Sequence, residues 1–259
     1  MKLPLYIVDA FTDRPFAGNP AAICILDSWL ADELMQRIGA EMNFSETAFL
    51  VPDAEGWQIR WFTPTLEVDL VGHATLAAAH IIFQRIDPSC TQVRFSSLGG
   101  PLLVRRSQQL LEMDFPARPP IPCQPPPLLL EGLGTEPEQV LAAQHYLAVF
   151  RDAEAVRRLA PDLSRLARLD RAAVIVTAAG GPGDFVCRFF APANGVPEDP
   201  ASGVAQCSLI PYWSQRLGKR RLVGHQLSRR GGVFCCEDRG ERVTIAGHAR
   251  LFLEGTIEI

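Results

Sequence analysis

The 259-residue sequence lacks most of the patterns that announce a function at once. Gly-x-Gly-x-x-Gly, Walker and Gly-x-Ser-x-Gly patterns are absent, which removes the simple nucleotide-binding and serine-hydrolase readings. No apolar run approaches the roughly 18 residues that a membrane-spanning helix needs, so no membrane partner is expected. His80, His145, His225 and His248 have no cysteine or carboxylate at metal-ligand spacing, so no metal site is expected. The seven cysteines are Cys24, Cys90, Cys123, Cys187, Cys207, Cys235 and Cys236. Their number is odd and no Cys-x-x-Cys occurs, which points to reduced, mostly buried thiols in a cytoplasmic protein. The N-terminus carries no signal-peptide pattern. An excess of positive charge is missing too: the net charge of −4 argues against a nucleic-acid partner. What remains, 47% hydrophobic and 21% charged residues, is the balance of a globular protein of about two domains.

Two stretches organise the chain, and they are copies of one unit. Trp57-Gln58-Ile59-Arg60-Trp61-Phe62-Thr63-Pro64 matches Phe185-Val186-Cys187-Arg188-Phe189-Phe190-Ala191-Pro192. Aromatic falls on aromatic, Arg60 on Arg188, Phe62 on Phe190 and Pro64 on Pro192. An acidic loop follows each copy, then a Gly-x-Ala turn: Gly72-His73-Ala74 and Gly203-Val204-Ala205. The match runs on to Gln84-Arg85 and Gln215-Arg216, with three extra loop residues in the second copy. Two strings in the same order argue for an internal duplication. Each copy reads as strand, loop and helix. Apolar and polar residues alternate with period two from Trp57 to Trp61, the prolines end the strands, and small apolar residues follow the glycine. A glycine-rich helix start leaves backbone N–H groups free, and such an end attracts an anion. Two such ends suit one small anionic substrate held between two domains. The plainer alternative is a pair of core helices with glycine at a tight turn.

Around these copies, the patterns predict strands over 6–10, 21–26, 48–51, 93–95, 102–105 and 110–115. They predict a helix over 28–42 from Leu30, Leu34, Ile38 and Met42. The proline-rich segment 116–127 reads as a stiff linker between a first domain, residues 1–116, and a second, 117–259. A PxxP ligand is the alternative for that segment. In the second half the patterns predict helices over 128–133, 137–143, 153–160 and 163–169, and strands over 146–150 and 172–177. The chain then ends in a strand meander over 223–228, 232–237, 242–246 and 251–259, its last strand free to return to the first domain. Of the vicinal pair Cys235-Cys236, strand alternation buries only one.

Candidate chemistry falls at matched places: Asn19, Glu46 and His73 in the first half, Asp199 and Ser202 in the second. Glu46 stands at the mouth of an apolar strand, where desolvation raises a carboxyl pKa and suits it to proton exchange. The alternative is a solvated loop glutamate. Two carboxylates from opposite halves suit moving a proton between positions of one substrate. His73 can relay a proton or donate a hydrogen bond, or serve only as a capping residue.

At these residues the sequence resembles the PhzF isomerases of phenazine biosynthesis, members of the diaminopimelate-epimerase-like superfamily. The resemblance rests on Phe16-Ala17-Gly18-Asn19-Pro20, Asn43-Phe44-Ser45-Glu46-Thr47, Phe62-Thr63-Pro64, Glu67 to Thr75 and Glu198-Asp199-Pro200-Ala201-Ser202-Gly203. It implies an α+β fold of two pseudo-symmetric domains, each a curved, mostly antiparallel sheet around a central helix, with the site between them. It implies isomerisation without cofactor or metal, with a glutamate at the position of Glu46 moving a proton within a dihydro-hydroxyanthranilate. It also implies a homodimer. The site set is then Glu46, Asp199 and His73 for catalysis, with Asn19, Gly72, Ala74, Ser202, Gly203 and Val204 binding substrate. The related epimerases use two cysteines, which the motif places at Val71 and Ser202 here, so a two-thiol mechanism is excluded on this resemblance. The family serine is replaced by Val204, which separates this chain from the phenazine substrate itself. Two alternatives to a proton-shifting isomerase of a small carboxylate are kept: an amino-acid epimerase or racemase, and a non-enzymatic member that binds a ligand or protein.

Overall fold

The computed structural model describes residues 1–259 and divides into two units, residues 1–115 with 245–259, and residues 116–244. In the first unit, strands β1 (Lys2–Ala10), β2 (Asn19–Ile25), β3 (Thr47–Asp53) and β4 (Gly56–Phe62) alternate with helix α1 (Asp32–Met42). A two-residue strand β5 (Glu67–Val68) leads into helix α2 (Gly72–Ile81), whose last turn widens into a π-helical segment over Ile82–Ile86. Strands β6 (Gln92–Ser97), β7 (Gly100–Ser107) and β8 (Leu110–Pro116) follow. Every residue of α2 except His80 is buried, which is why its composition is small and apolar on all sides. A second cluster, Met35, Ile38, Phe49 and Phe62 among its members, fills the space under α1.

The second unit opens with β9 (Ile121–Pro122), α3 (Pro127–Leu133), β10 (Gln139–Ala142), β11 (Tyr146–Val149), α4 (Ala153–Arg158) and α5 (Leu163–Leu166). It continues with β12 (Val174–Ala179), β13 (Phe185–Ala191), β14 (Val196–Asp199), α6 (Gly203–Leu217), β15 (Arg221–Gln226), β16 (Gly232–Asp238) and β17 (Arg242–Gly247). The boundary at 244 falls within β17. Strand β18 (Ala249–Glu258) then belongs to the first unit, where it pairs antiparallel with β1 from Lys2–Glu258 to Ala10–Ala249. The last strand thus lies with the first unit. No helix is long and apolar enough to cross a membrane.

The pairing pattern repeats between the units. β1 and β2 are antiparallel, β2 and β3 parallel, β3 and β4 antiparallel, β4 and β6 parallel, and β6 and β7 antiparallel. The same sequence of pairings holds for β10, β11, β12, β13, β15 and β16. Gly72 and Gly203 each open the central helix of their unit. The duplication visible in two strings thus extends to the whole sheet, and the α+β epimerase-like fold is as the resemblance implies.

Two expectations fail locally. The helix from Ser28 starts only at Asp32, because Trp29 donates its indole N–H to Gln58 Oε1 (2.8 Å), holding the preceding residues out of the helix. Residues 137–143 form no helix. Val140, Leu141 and Ala142 are buried in β10, between β9 and β11, so sheet packing overrides local propensity. The proline-rich segment is stiff as expected and is fixed to the second unit, where Ala117 donates to Glu241 O, Arg118 to Cys207 O and Cys123 to Val140 O. All seven cysteines are free, and of the vicinal pair only Cys236 is buried.

Candidate active-site residues

Each unit carries the same bracket beside its helix start. In the first, Arg60 on β4 holds Glu67 on β5 through two parallel bonds of 2.6 Å, with its guanidinium over the Phe62 ring. In the second, Arg188 on β13 holds Glu198 on β14 through bonds of 2.7 and 3.0 Å, over Phe190. A forked, charge-assisted pair fixes both partners in one geometry. It ties the strand to the loop that enters the central helix.

In the first unit, the loop before β2 is shaped by backbone constraints. Gly18 has φ +66°, and a Cβ there would run into the Ala10 carbonyl, so the motif requires glycine. Asp9, buried on β1, accepts a hydrogen bond from the Phe16 N–H (3.2 Å), which steadies the same loop. Asn19 opens β2 and is fully buried. Glu46 immediately precedes β3. Since β2 and β3 run parallel, with Ala22 opposite Thr47, Asn19 and Glu46 lie at the same end of the sheet. His73, in the first turn of α2, brings Nε2 to 3.3 Å from Glu46 Oε2. The Glu46 side chain keeps 16% of its surface exposed, against 3% for His73.

Burial pushes the His73 imidazole down to about 3. At neutral pH the ring is uncharged, so its contact with Glu46 is not an ion pair. The contact is not a hydrogen bond, and Nε2 has no hydrogen-bond partner within the chain. A neutral imidazole replaces the near-neutral titrating group expected from sequence. It caps nothing: α2 begins after Val71 with no side-chain cap and no acidic residue in its first turn.

In the second unit, Asp199 closes β14 and is 8% exposed. Ser202 caps α6, its Oγ accepting from the Ala205 N–H at 3.4 Å. Gln226, at the end of β15, clamps the turn between them. Its Nε2 donates to Asp199 O (2.5 Å) and its Oε1 accepts from the Ser202 N–H (2.8 Å). Sequence reasoning missed Gln226 and Asp9, since each looks like an ordinary strand residue. Val71 and Ser202 stand where the two helices begin, and neither is a thiol. The nearby Cys187, bonded to the Gln206 amide, is pushed up to about 12 by burial.

The sheet register shows how unequally the two units are equipped. Thr47 faces Phe62 and Val174 faces Phe190, so the counterpart of Glu46 is Ala173. Trp61 faces Val68 and Phe189 faces Asp199, so the counterpart of Asp199 is Val68. His73 corresponds to Val204 and Ser202 to Val71. The structure brings Glu46 to His73 in one unit and Asp199 to Ser202 in the other.

Two repeats of this topology, each wrapped round a buried helix, define the diaminopimelate-epimerase-like class of fold. A hydroxyproline epimerase from Agrobacterium vitis shares it with a TM-score of 0.64 at 11% identity, over 99% of this chain and 92% of that one. The family model described as phenazine biosynthesis-like protein matches residues 8–255, and the chain belongs to that family. An uncharacterized isomerase of Pseudomonas aeruginosa is 52% identical over the full length of both chains. The crystal structure of a PhzF-family phenazine biosynthesis protein from Enterococcus faecalis matches with a TM-score of 0.96 at 42% identity, over all of both chains.

Proposed function

We propose that this protein is an isomerase that moves a proton within a small carboxylate substrate, without a cofactor. The observation that carries this is the pairing of Glu46, partly exposed at the end of its sheet, with a buried neutral His73 whose Nε2 has no aligned partner. Buried polar atoms without partners call for an explanation, and a substrate group supplies one. Relatives named as isomerases support the same class.

In this reading Glu46 is the base. Its carboxylate takes a proton from a carbon made acidic by an adjacent unsaturated system, and the electron pair left behind is delocalised into that system. The protonated Glu46 then returns the proton to another carbon of the same molecule, so atoms and charge balance. His73, held neutral, orients the glutamate or the substrate by hydrogen bonding. The uncapped start of α2, at Gly72 and Ala74, and the start of α6, at Ser202, Gly203 and Val204, bind the substrate carboxylate. Asn19 contributes a polar contact. Asp199 orients the substrate or relays the proton. The proposal includes a cytoplasmic setting, in keeping with seven unpaired thiols, and a homodimer, as the family resemblance implies.

The test is solvent-deuterium incorporation into a panel of small unsaturated and amino carboxylic acids, followed by NMR. The wild type should label one carbon of a substrate, and Asp199→Asn should label it more slowly. Labelling at the α-carbon of an amino acid would assign an epimerase instead. Binding of a panel member without any labelling would favour the non-enzymatic reading, which the apolar Val204 motivates.

A further inference from the structure

The second unit holds another concentration of cationic side chains, used by none of this chemistry. His145 sits in the turn between β10 and β11, 9% exposed, edge-on to Phe189 with ring centroids 5.4 Å apart. Its Nδ1 is buried and has no hydrogen-bond partner. Arg171 reaches the same turn. It donates from Nη1 to Ala143 O at 2.5 Å, while the Ala143 N–H donates to His145 O at 3.0 Å. Its guanidinium lies over the Tyr146 ring, 5.4 Å from the centroid, and its Nε is buried and unpartnered. Arg118 arrives from the proline-rich segment, fixed by its backbone bond to Cys207 O (2.8 Å), and its Nη1 is buried and unpartnered too.

Burial first, and then the charges of Arg118 and Arg171, hold His145 down to about 4. The two arginines are therefore electrostatic neighbours of the ring. Neither forms an ion pair with a carboxylate, and Asp170 is already engaged by the Tyr146 hydroxyl at 2.7 Å. Two guanidinium charges and an imidazole are thus gathered with three buried nitrogens unsatisfied. Buried polar atoms are rarely left so.

We propose that Arg118, His145 and Arg171 form a binding site for a small oxyanion, a carboxylate or phosphoryl group. The oxyanion accepts from Arg118 Nη1, His145 Nδ1 and Arg171 Nε, the three nitrogens left without partners. Arginine suits such groups because its donors lie in a planar fork. The site goes beyond the isomerase proposal and does not depend on it.

Crystals of the full chain soaked in selenate, with anomalous data, test this directly. The expected result is a selenium peak within hydrogen-bond reach of those three nitrogens, absent from crystals of Arg118→Gln. Selenate only at the starts of α2 and α6 would overturn this site while supporting the substrate contacts proposed above. Water alone among the three residues would overturn it too. In solution, calorimetric titration with inorganic phosphate and with succinate at constant ionic strength separates the two ligand chemistries. Arg118→Gln removes no bond within the protein, so the variant is expected to fold. Loss of one charge-assisted contact should weaken the preferred anion about tenfold. Unchanged affinity in that variant would contradict the proposal.

Discussion

The two units are built on one frame and equipped for different work. Both have the same order of parallel and antiparallel pairings, the same arginine–glutamate bracket and a glycine at the start of a buried helix. Yet the position of Glu46 is taken by Ala173 in the other unit, that of His73 by Val204, that of Asp199 by Val68 and that of Ser202 by Val71. What recurs is what the sheet and the helix entry need. What differs is the set of polar side chains outside the bracket: Glu46, His73, Asp199 and Ser202 each have an apolar equivalent. A duplicated scaffold in this state keeps the frame of both copies and lets their polar side chains diverge.

Acid should produce the largest effect on stability, and it acts on both units. Burial holds His73 at about 3 and His145 at about 4 in the folded protein, against about 6.5 in the unfolded chain. Between those values the unfolded chain binds more protons, so stability falls as pH drops below about 6.5. Each of the two histidines should contribute roughly 2 kcal/mol of loss by pH 5, seen as a lower urea midpoint. A midpoint that holds steady from pH 7 to 5 would show these rings to be solvated.

The brackets offer a sharper comparison. Arg60→Met and Arg188→Met each break a largely buried, doubly bonded pair, and each should cost about 2–4 kcal/mol. Denaturant unfolding should find the two losses similar. A loss at only one site would mean that the frame is not shared. Gln226→Leu should have a smaller effect, about 1–3 kcal/mol, because it leaves the Asp199 carbonyl and the Ser202 N–H unpartnered in the second unit. The first unit has Ser97 at the matching register position, bonded to Gly100 O, and Ser97→Ala should be milder still.

The frame was legible because the duplication kept residue types that declare themselves: arginine, aromatic and proline along a strand, glycine at a helix start. The helix start at Gly72 follows from this, as does its twin at Gly203. Residues 137–142 misled because Pro137 and the glutamate, glutamine and alanine residues around it carry helix signals, while only the neighbouring strands make them a strand. The segment 116–127 was legible as stiff and as a boundary, but nothing local reveals that Cys123, Arg118 and Ala117 find acceptors in β10, α6 and beyond. Glu46 and His73 were legible as residues. Their 3.3 Å approach and the neutral state of His73 depend on burial, which only the folded chain shows. Gln226 and Asp9 gave no signal, since a polar residue on a strand is ordinary until topology sets it against a turn.

The proposed role of Glu46 as the base is tested most directly by Glu46→Gln. This change keeps the shape and removes the base, so folding and carboxylate binding should survive. Once a substrate is found, the rate of solvent-deuterium incorporation should fall by about 10²–10⁴-fold, the usual cost of losing one general acid/base. Labelling by Glu46→Gln at the wild-type rate would contradict the account, since the carboxylate that distinguishes the first unit from the second would then carry no part of the reaction.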